Sequence, residues 1–273
     1  MTSHYFNYSF VKLHYYKFGQ GQKNMLCFHG YGMHGRQFGL LEPSLGEKYT
    51  FYGFDMFFHE RTQLRDSSIK EIKRGIKKAE IKELFTAFCI SENIDRFSII
   101  AYSMGTHIAS TLVEEIPGRI DDYISIAPSS FKPSPFIYFL STNLFANRIL
   151  EKLLFSKNAT LNVLKVCKKL NLIDRKGFEI LAKEIATSEL RLSFYACITY
   201  LRFLDLNEAL LVNAILNFNI NFIAVFGQKD VMYPPSSADF LLSRLPSAKK
   251  IIIDTNHELI NQDLVKHLEA YLA

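Results

Sequence analysis

Two stretches near the start of the chain, residues 5–10 and 11–18, alternate polar and apolar side chains and end at the turn signal Gly19-Gln20-Gly21. Alternation with period two puts successive side chains on opposite faces of a strand, so these stretches predict an antiparallel pair. From residue 24 the pattern changes to short continuous apolar runs separated by segments of helical period. It predicts strands over 24–29, 49–54, 96–101 and 123–127, and helices over 37–47, about 70–89 and after Ser103. Strands that lack a polar face are buried on both sides, and strand–helix alternation of this kind makes a parallel sheet covered by helices. Between residues 128 and 219 the rhythm breaks. Pro133 and Pro135 precede runs of helical period, among them 161–170, 177–185 and 190–204, without a convincing strand. Sheet-like sequence returns over 221–226 and 250–253, with helices expected over about 236–245 and 260–272. The expected organisation is therefore an α/β core made of residues 1–128 and 220–273, interrupted by a helical insertion over 129–219.

Composition narrows the class. A chain of 273 residues that is 48% hydrophobic, with 24 Phe and 14 Tyr but no Trp, can build one large core and line an apolar pocket. The formal net charge of +5 is modest, and the basic cluster Lys70, Lys73, Arg74, Lys77 and Lys78 reads as a solvated helix face, so no nucleic-acid partner is expected. Cys27, Cys89, Cys167 and Cys197 are widely spaced in apolar surroundings, without metal-binding spacing, and are expected to be reduced core residues. The N-terminal segment has no basic region followed by an apolar core and cleavage site, which makes a cytoplasmic location the expectation. Residues 209–228 carry no charge and are long enough to span a bilayer, yet they include Asn213, Asn217, Asn219 and Asn221. Four amides in hydrocarbon are costly, so the stretch is read as a helix end running into a buried strand, with no stable membrane insertion.

Candidate chemistry begins at Ala101-Tyr102-Ser103-Met104-Gly105, placed between a predicted buried strand and a predicted helix. A serine in such a turn is pushed outward beside the helix N-terminus and its backbone N–H groups. Gly30-Tyr31-Gly32-Met33-His34-Gly35 admits two readings. It is a literal Gly-x-Gly-x-x-Gly after a strand, with Asp55 at the end of the next strand, which suggests a dinucleotide-binding oxidoreductase. Alternatively its small residues let backbone amides turn toward a reacting carbonyl, with Tyr31 and Met104 supplying the two N–H groups of an oxyanion hole. His29 before the first glycine, the antiparallel pair before this strand, and the unexplained Ser103 and His257 favour the second reading. Asp230 follows the strand over 221–226, and His257 follows the strand over 250–253. In a parallel sheet these ends share one edge with Ser103, so a nucleophile, a base and an orienting acid can converge there. Asp205 and Asp254 remain alternatives for the acid. Of the other histidines, His4, His14 and His267 read as surface or strand positions, His34, His59 and His107 as structural or pocket-lining, and His29 as an organiser of its loop.

With His29-Gly30 and its glycine loop, the Ser103 turn, Gly227-x-x-Asp230 and the late His257, the chain resembles a serine hydrolase of the alpha/beta-hydrolase fold over nearly its whole length. Two departures stand out: Ala101 replaces the first glycine of the usual Gly-x-Ser-x-Gly, and residues 55–61 match the family's Asp-x-Pro-Gly-His-Gly loop only faintly. The resemblance implies a mostly parallel sheet flanked by helices, with the insertion serving as a cap. It also implies cleavage of an ester or related acyl bond through Ser103, His257 and Asp230 and an acyl-enzyme, without metal or organic cofactor. Tyr31, Tyr102, Met104 and Phe131 are candidate substrate contacts. Phe131, Phe136, Phe139 and Phe145 suggest a small, apolar acyl or aromatic substrate. The same triad also supports carbon–carbon bond hydrolysis or lyase chemistry, and proteins of this kind include silent small-molecule receptors.

Overall fold

A computed structural model describes residues 1–154, 156–170 and 175–272; of the expected domain spans, Phe155, residues 171–174 and Ala273 lie outside the described residues. The strands are β1 (Thr2–Tyr8), β2 (Val11–Phe18), β3 (Lys23–Phe28), β4 (Tyr49–Phe54), β5 (Gln63–Leu64), β6 (Phe97–Tyr102), β7 (Ile120–Ile126), β8 (Asn221–Gly227) and β9 (Lys249–Ile253). The α-helices run α1 (Glu42–Leu45), α2 (Ile69–Arg74), α3 (Lys78–Ser91), α4 (Thr106–Glu115), α5 (Pro135–Thr142), α6 (Leu144–Leu154), α7 (Lys157–Lys169), α8 (Arg175–Glu184), α9 (Ser188–Tyr200), α10 (Glu208–Asn217), α11 (Asp239–Leu242) and α12 (Gln262–Leu272). Backbone proximity divides them into two compact units. One comprises Met1–Asp66, Ile76–Pro133 and Leu204–Ala273; the other comprises Ser67–Gly75 and Ser134–Phe203.

The first unit contains the whole sheet, in the order β1-β2-β4-β3-β6-β7-β8-β9 with β5 paired to β2. β1, β2 and β4 pair antiparallel, whereas β4 through β9 along this path run parallel. The alternation within each strand explains how both faces are covered. On β3, Met25 and Cys27 join a core with Phe38, Leu45, Leu264 and Leu268, beneath α1 and α12. The neighbouring Phe28 points the other way, where its ring meets Phe54 at 5.4 Å and Phe85 of α3 at 5.1 Å. Burying the two faces of a single strand in this way requires the continuous apolar runs seen in the sequence. All four cysteines are buried, and none is in a disulfide.

The second unit is helical, built from α2 and α5 through α9. The division differs from that expected. α10 belongs to the sheet unit and α2 to the helical one, so the units divide near residues 133 and 203 and also near 66 and 75. The single helix expected over about 70–89 is two helices, because Gly75 adopts φ +71° and ends α2. Only glycine takes this left-handed conformation without steric cost, and a Cβ there would lie 3.0 Å from the Phe203 ring. The helix expected over 37–47 is a 3-10 turn, Gly35–Leu41, followed by the single turn of α1. The uncharged stretch over 209–228 resolves into α10 after its first residue and all of β8. Among the described residues no helix is long and apolar enough to cross a membrane.

Candidate active site

The turn after β6 determines how Ser103 is presented. Every residue of β6 is buried, and the chain passes through a 3-10 turn at Ser103–Gly105 directly into α4. Ser103 itself holds φ +48°, a left-handed conformation that costs a non-glycine residue roughly 1–2 kcal/mol. Such strain persists only where the surroundings impose it. They do so here: a Cβ on Gly105 would lie 2.3 Å from the Phe28 carbonyl oxygen, so the turn presses directly on the end of β3. A Cβ on Gly30 would likewise come within 3.2 Å of the Ser103 Cβ, which puts the glycine loop against the same turn. Ala101 is fully buried in mid-sheet, in register with Phe28 and Ser125. Its methyl group fits there, which accounts for the missing first glycine.

Two loops bring in the partners. After β8 and β9 the backbone bonds Gln228 N–H to Ile253 O at 2.8 Å and Lys229 N–H to Thr255 O at 2.9 Å. Gly227 allows the approach, because a Cβ there would lie 2.2 Å from the Asn256 oxygen. His257 then stands with Nε2 3.2 Å from Ser103 Oγ and Nδ1 2.7 Å from Asp230 Oδ2. The other carboxylate oxygen, Oδ1, accepts the amide N–H of Met232 at 2.9 Å and of Tyr233 at 3.1 Å. Burial pushes the Asp230 carboxyl up, but the His257 hydrogen bond and charge, with those two amides, outweigh it and hold it below the usual carboxylate range. The imidazole lies between Tyr102 and Tyr233, with ring centroids at 5.3 and 5.5 Å. The Tyr102 hydroxyl donates to the His257 carbonyl at 2.7 Å.

The glycine loop is held by histidines. His29 is fully buried; its Nε2 accepts the Met56 amide at 2.8 Å and its Nδ1 lies 2.6 Å from the Gly30 carbonyl, which makes Nδ1 the protonated nitrogen. His59 accepts the Gly32 amide at Nε2, 2.9 Å away, and meets the Phe57 carbonyl through Nδ1. Both work as neutral rings, and burial lowers the pKa of each, most strongly for His29. A folded-state pKa below the unfolded one means that the unfolded chain binds the proton first. The stability owed to His29 is therefore complete above about pH 6.5 and is lost as the pH falls below it. Urea midpoints measured down a pH series are expected to show this loss, and His29→Asn to flatten it. An equal slope in both proteins would refute the assignment.

Asp55 weighs against the dinucleotide reading of the loop. It is fully buried, and its Oδ1 accepts the Gly35 amide at 2.9 Å while Oδ2 meets His14 Nδ1 at 2.6 Å. No carboxylate oxygen is left to face a ribose. Gly35 is packed on β4, where a Cβ would lie 2.1 Å from the Gly53 oxygen. The glycine and acid of the dinucleotide pattern thus serve the packing of the loop. The buried His14–Asp55 pair has no signature in the sequence: His14 sits in an ordinary alternating strand.

The structure brings Ser103, His257 and Asp230 together; Met104 follows Ser103 in the turn, and Tyr31, half-buried, follows Gly30 in the glycine loop with its ring against His59. Of the alternative acids, Asp254 is exposed and paired with Lys229 at 2.7 Å, and Asp205 is part of neither contact to His257. Tyr102 is buried, with its hydroxyl donated to the His257 carbonyl. Phe131 is buried with its ring 6.1 Å from Phe222 of β8. Among the described residues no three His, Cys, Asp or Glu side chains gather as a metal-ligand set.

Residues 23–263 match the family described as alpha/beta hydrolase fold. Among solved structures the chain is similar to a thermophilic esterase from Thermogutta terrifontis, with 14% identity, TM-score 0.69, and coverage of 96% of this chain and 93% of that one. It is also similar to MGS-M2, an alpha/beta hydrolase enzyme from a Medee basin deep-sea metagenome library, with 15% identity, TM-score 0.68, and coverage of 98% and 95%. A carboxylesterase structure from Nitrososphaera gargenis aligns at 14% identity and TM-score 0.66, over 96% and 94% of the two chains. Among the curated proteins, none matches the chain significantly.

Proposed function

The chain belongs to the alpha/beta hydrolase fold family, and from that premise we propose that it is a serine hydrolase cleaving an ester or related acyl bond of a small, largely apolar molecule. The observation that carries this reading is the unbroken hydrogen-bond chain Ser103–His257–Asp230, ending on a serine in left-handed conformation. With Nδ1–H donated to Asp230, the free electron pair of His257 lies on Nε2, toward Ser103 Oγ. His257 takes the hydroxyl proton as Oγ bonds to the carbonyl carbon, and the carbonyl electron pair moves onto its oxygen. The Tyr31 and Met104 amides stabilise that oxyanion, and Asp230 stabilises the imidazolium. His257 then protonates the departing alcohol, leaving an acyl group on Ser103. A water molecule deprotonated by His257 releases the acid and restores the serine. The role of the helical insertion as a cap belongs to the same reading.

A fluorophosphonate probe tests it, because phosphorus is attacked by the same activated oxygen. Intact protein is expected to be labelled at Ser103 and the Ser103→Ala variant to remain unlabelled. Absence of labelling in the intact protein, or labelling that survives the substitution, would overturn the assignment. Turnover of p-nitrophenyl esters of increasing chain length then separates an esterase from carbon–carbon bond or lyase chemistry and from a silent receptor, all of which predict no turnover.

A further inference from the structure

The helical unit carries a surface that the site chemistry leaves unused. On α6, Phe145, Arg148, Ile149 and Lys152 follow the spacing i, i+3, i+4, i+7, which puts them on one side of the helix, and all four are exposed. The opposite side is fixed within the unit: Asn147 is buried, donates to Thr199 at 3.0 Å and accepts from the Tyr195 hydroxyl at 3.1 Å. α6 therefore cannot roll over to hide its apolar residues. Phe145 is 74% exposed and Leu144 81%. One helix earlier, Phe136 and Phe139 are exposed one turn apart on α5. Three of the four aromatic residues expected to meet an acyl group, Phe136, Phe139 and Phe145, thus lie at the surface, whereas Phe131 is buried.

Cations gather at the same place. A cavity of about 410 Å³ is lined by Lys73, Phe145, Arg148, Ile149, Glu151 and Lys152. Lys73 comes from α2, the first part of the basic cluster read in the sequence as a solvated face; it pairs with Glu151, and its carbonyl is held by Arg202. The charge of the chain is segregated in the same sense. The helical unit holds 14 Lys and Arg against 6 Asp and Glu, a net +8, while the sheet unit holds 18 against 21, a net −3. Whole-chain charge hides this asymmetry.

We propose that this face of the helical unit docks on an anionic phospholipid bilayer. Arg148 and Lys152 take the lipid phosphates, while Phe145 and Ile149 enter the boundary between headgroups and acyl chains. Basic side chains interleaved with exposed apolar ones on one helix face are what an interfacial site requires, since electrostatic attraction and apolar burial add. A nucleic acid could stack on Phe145, but Leu144 and Ile149 beside it offer neither stacking planes nor hydrogen bonds, and this aliphatic part of the face favours lipid. Binding is read without turnover, so its outcome is independent of Ser103.

Flotation of the full chain with vesicles provides the test. The protein is expected to be recovered with phosphatidylcholine vesicles that contain phosphatidylglycerol and not with phosphatidylcholine alone, and recovery is expected to fall as salt rises. The pair Arg148→Gln and Lys152→Gln is expected to lower partitioning about 30-fold. The pair Phe145→Ser and Ile149→Ser is expected to lower it at least about tenfold. Both pairs are expected to melt at the temperature of the parent, and Arg148→Lys with Lys152→Arg to retain binding. Equal recovery with neutral and anionic vesicles, indifference to both pairs, or displacement by millimolar inorganic phosphate would overturn the proposal. Retention on single-stranded RNA without vesicle recovery would also overturn it, in favour of a nucleic-acid face.

Discussion

Replacing Ser103 with alanine is expected to lower kcat for an activated ester by about 10⁴- to 10⁶-fold while leaving the fold intact. The alanine side chain cannot form the covalent acyl intermediate, and the amides and binding contacts that remain supply only the residual catalysis. Glycine at the same position makes the prediction sharper. Ser103 holds φ +48° between a buried strand and a helix, and glycine takes that conformation without steric penalty. Ser103→Gly is therefore expected to lose activity to the same extent but to gain about 1 kcal/mol in stability relative to Ser103→Ala. A structural serine would give the opposite pair of results: activity near the parent value, and a loss of stability from a missing cap. Steady-state kinetics on a p-nitrophenyl ester and the urea midpoints of the three proteins decide between them. Activity of either variant within tenfold of the parent would remove Ser103 as the nucleophile.

How far this site could be read beforehand depends on what each residue leaves in local sequence. Strands buried on both faces announce themselves as apolar runs, and the β6 and β8 predictions fall within a residue or two of the observed ends. The Ser103 turn is legible because Gly105 must be a glycine, with the Phe28 oxygen 2.3 Å from where its Cβ would stand. Gly227 is legible for the same reason, and it marks Asp230 three residues on. Contacts made only by folding leave no such trace. His14 reads as one more residue of an alternating strand, yet it is fully buried against Asp55, and Asp55 looked like a nucleotide ligand because only its position along the chain could be seen. The long helix expected over 70–89 failed at Gly75. A glycine inside a helical period does not by itself reveal whether its φ is negative or, as here, +71°. Charge segregation was invisible for a different reason: the two units interleave along the chain, so no single window of sequence contains either net charge.

Asp230→Asn is expected to cost about 10⁴-fold in kcat with little change in folding, a larger effect than loss of one hydrogen bond would give. The surroundings determine which way the new amide faces. Oδ1 of Asp230 accepts two backbone N–H groups, from Met232 and Tyr233, so the amide oxygen must occupy that position and the NH₂ group must take the place of Oδ2. The NH₂ then donates to His257 Nδ1 across the 2.7 Å now spanned by the imidazole N–H. The imidazole proton moves to Nε2, which turns from an acceptor toward Ser103 Oγ into a donor. The base is lost although every heavy atom keeps its place. Asp254→Asn supplies the control, since Asp254 is exposed and paired with Lys229, and its kcat is expected to stay within about twofold of the parent because exposed ion pairs contribute little. If Asp230→Asn instead retains kcat within tenfold, His257 is oriented by some other group and the hydrogen-bond chain ends at the imidazole. A comparable loss in both variants would move the acid to the loop after β9. Fluorophosphonate labelling rates of the two proteins give the same comparison without a substrate, because formation of the Oγ–phosphorus bond needs Nε2 as the proton acceptor in the same way.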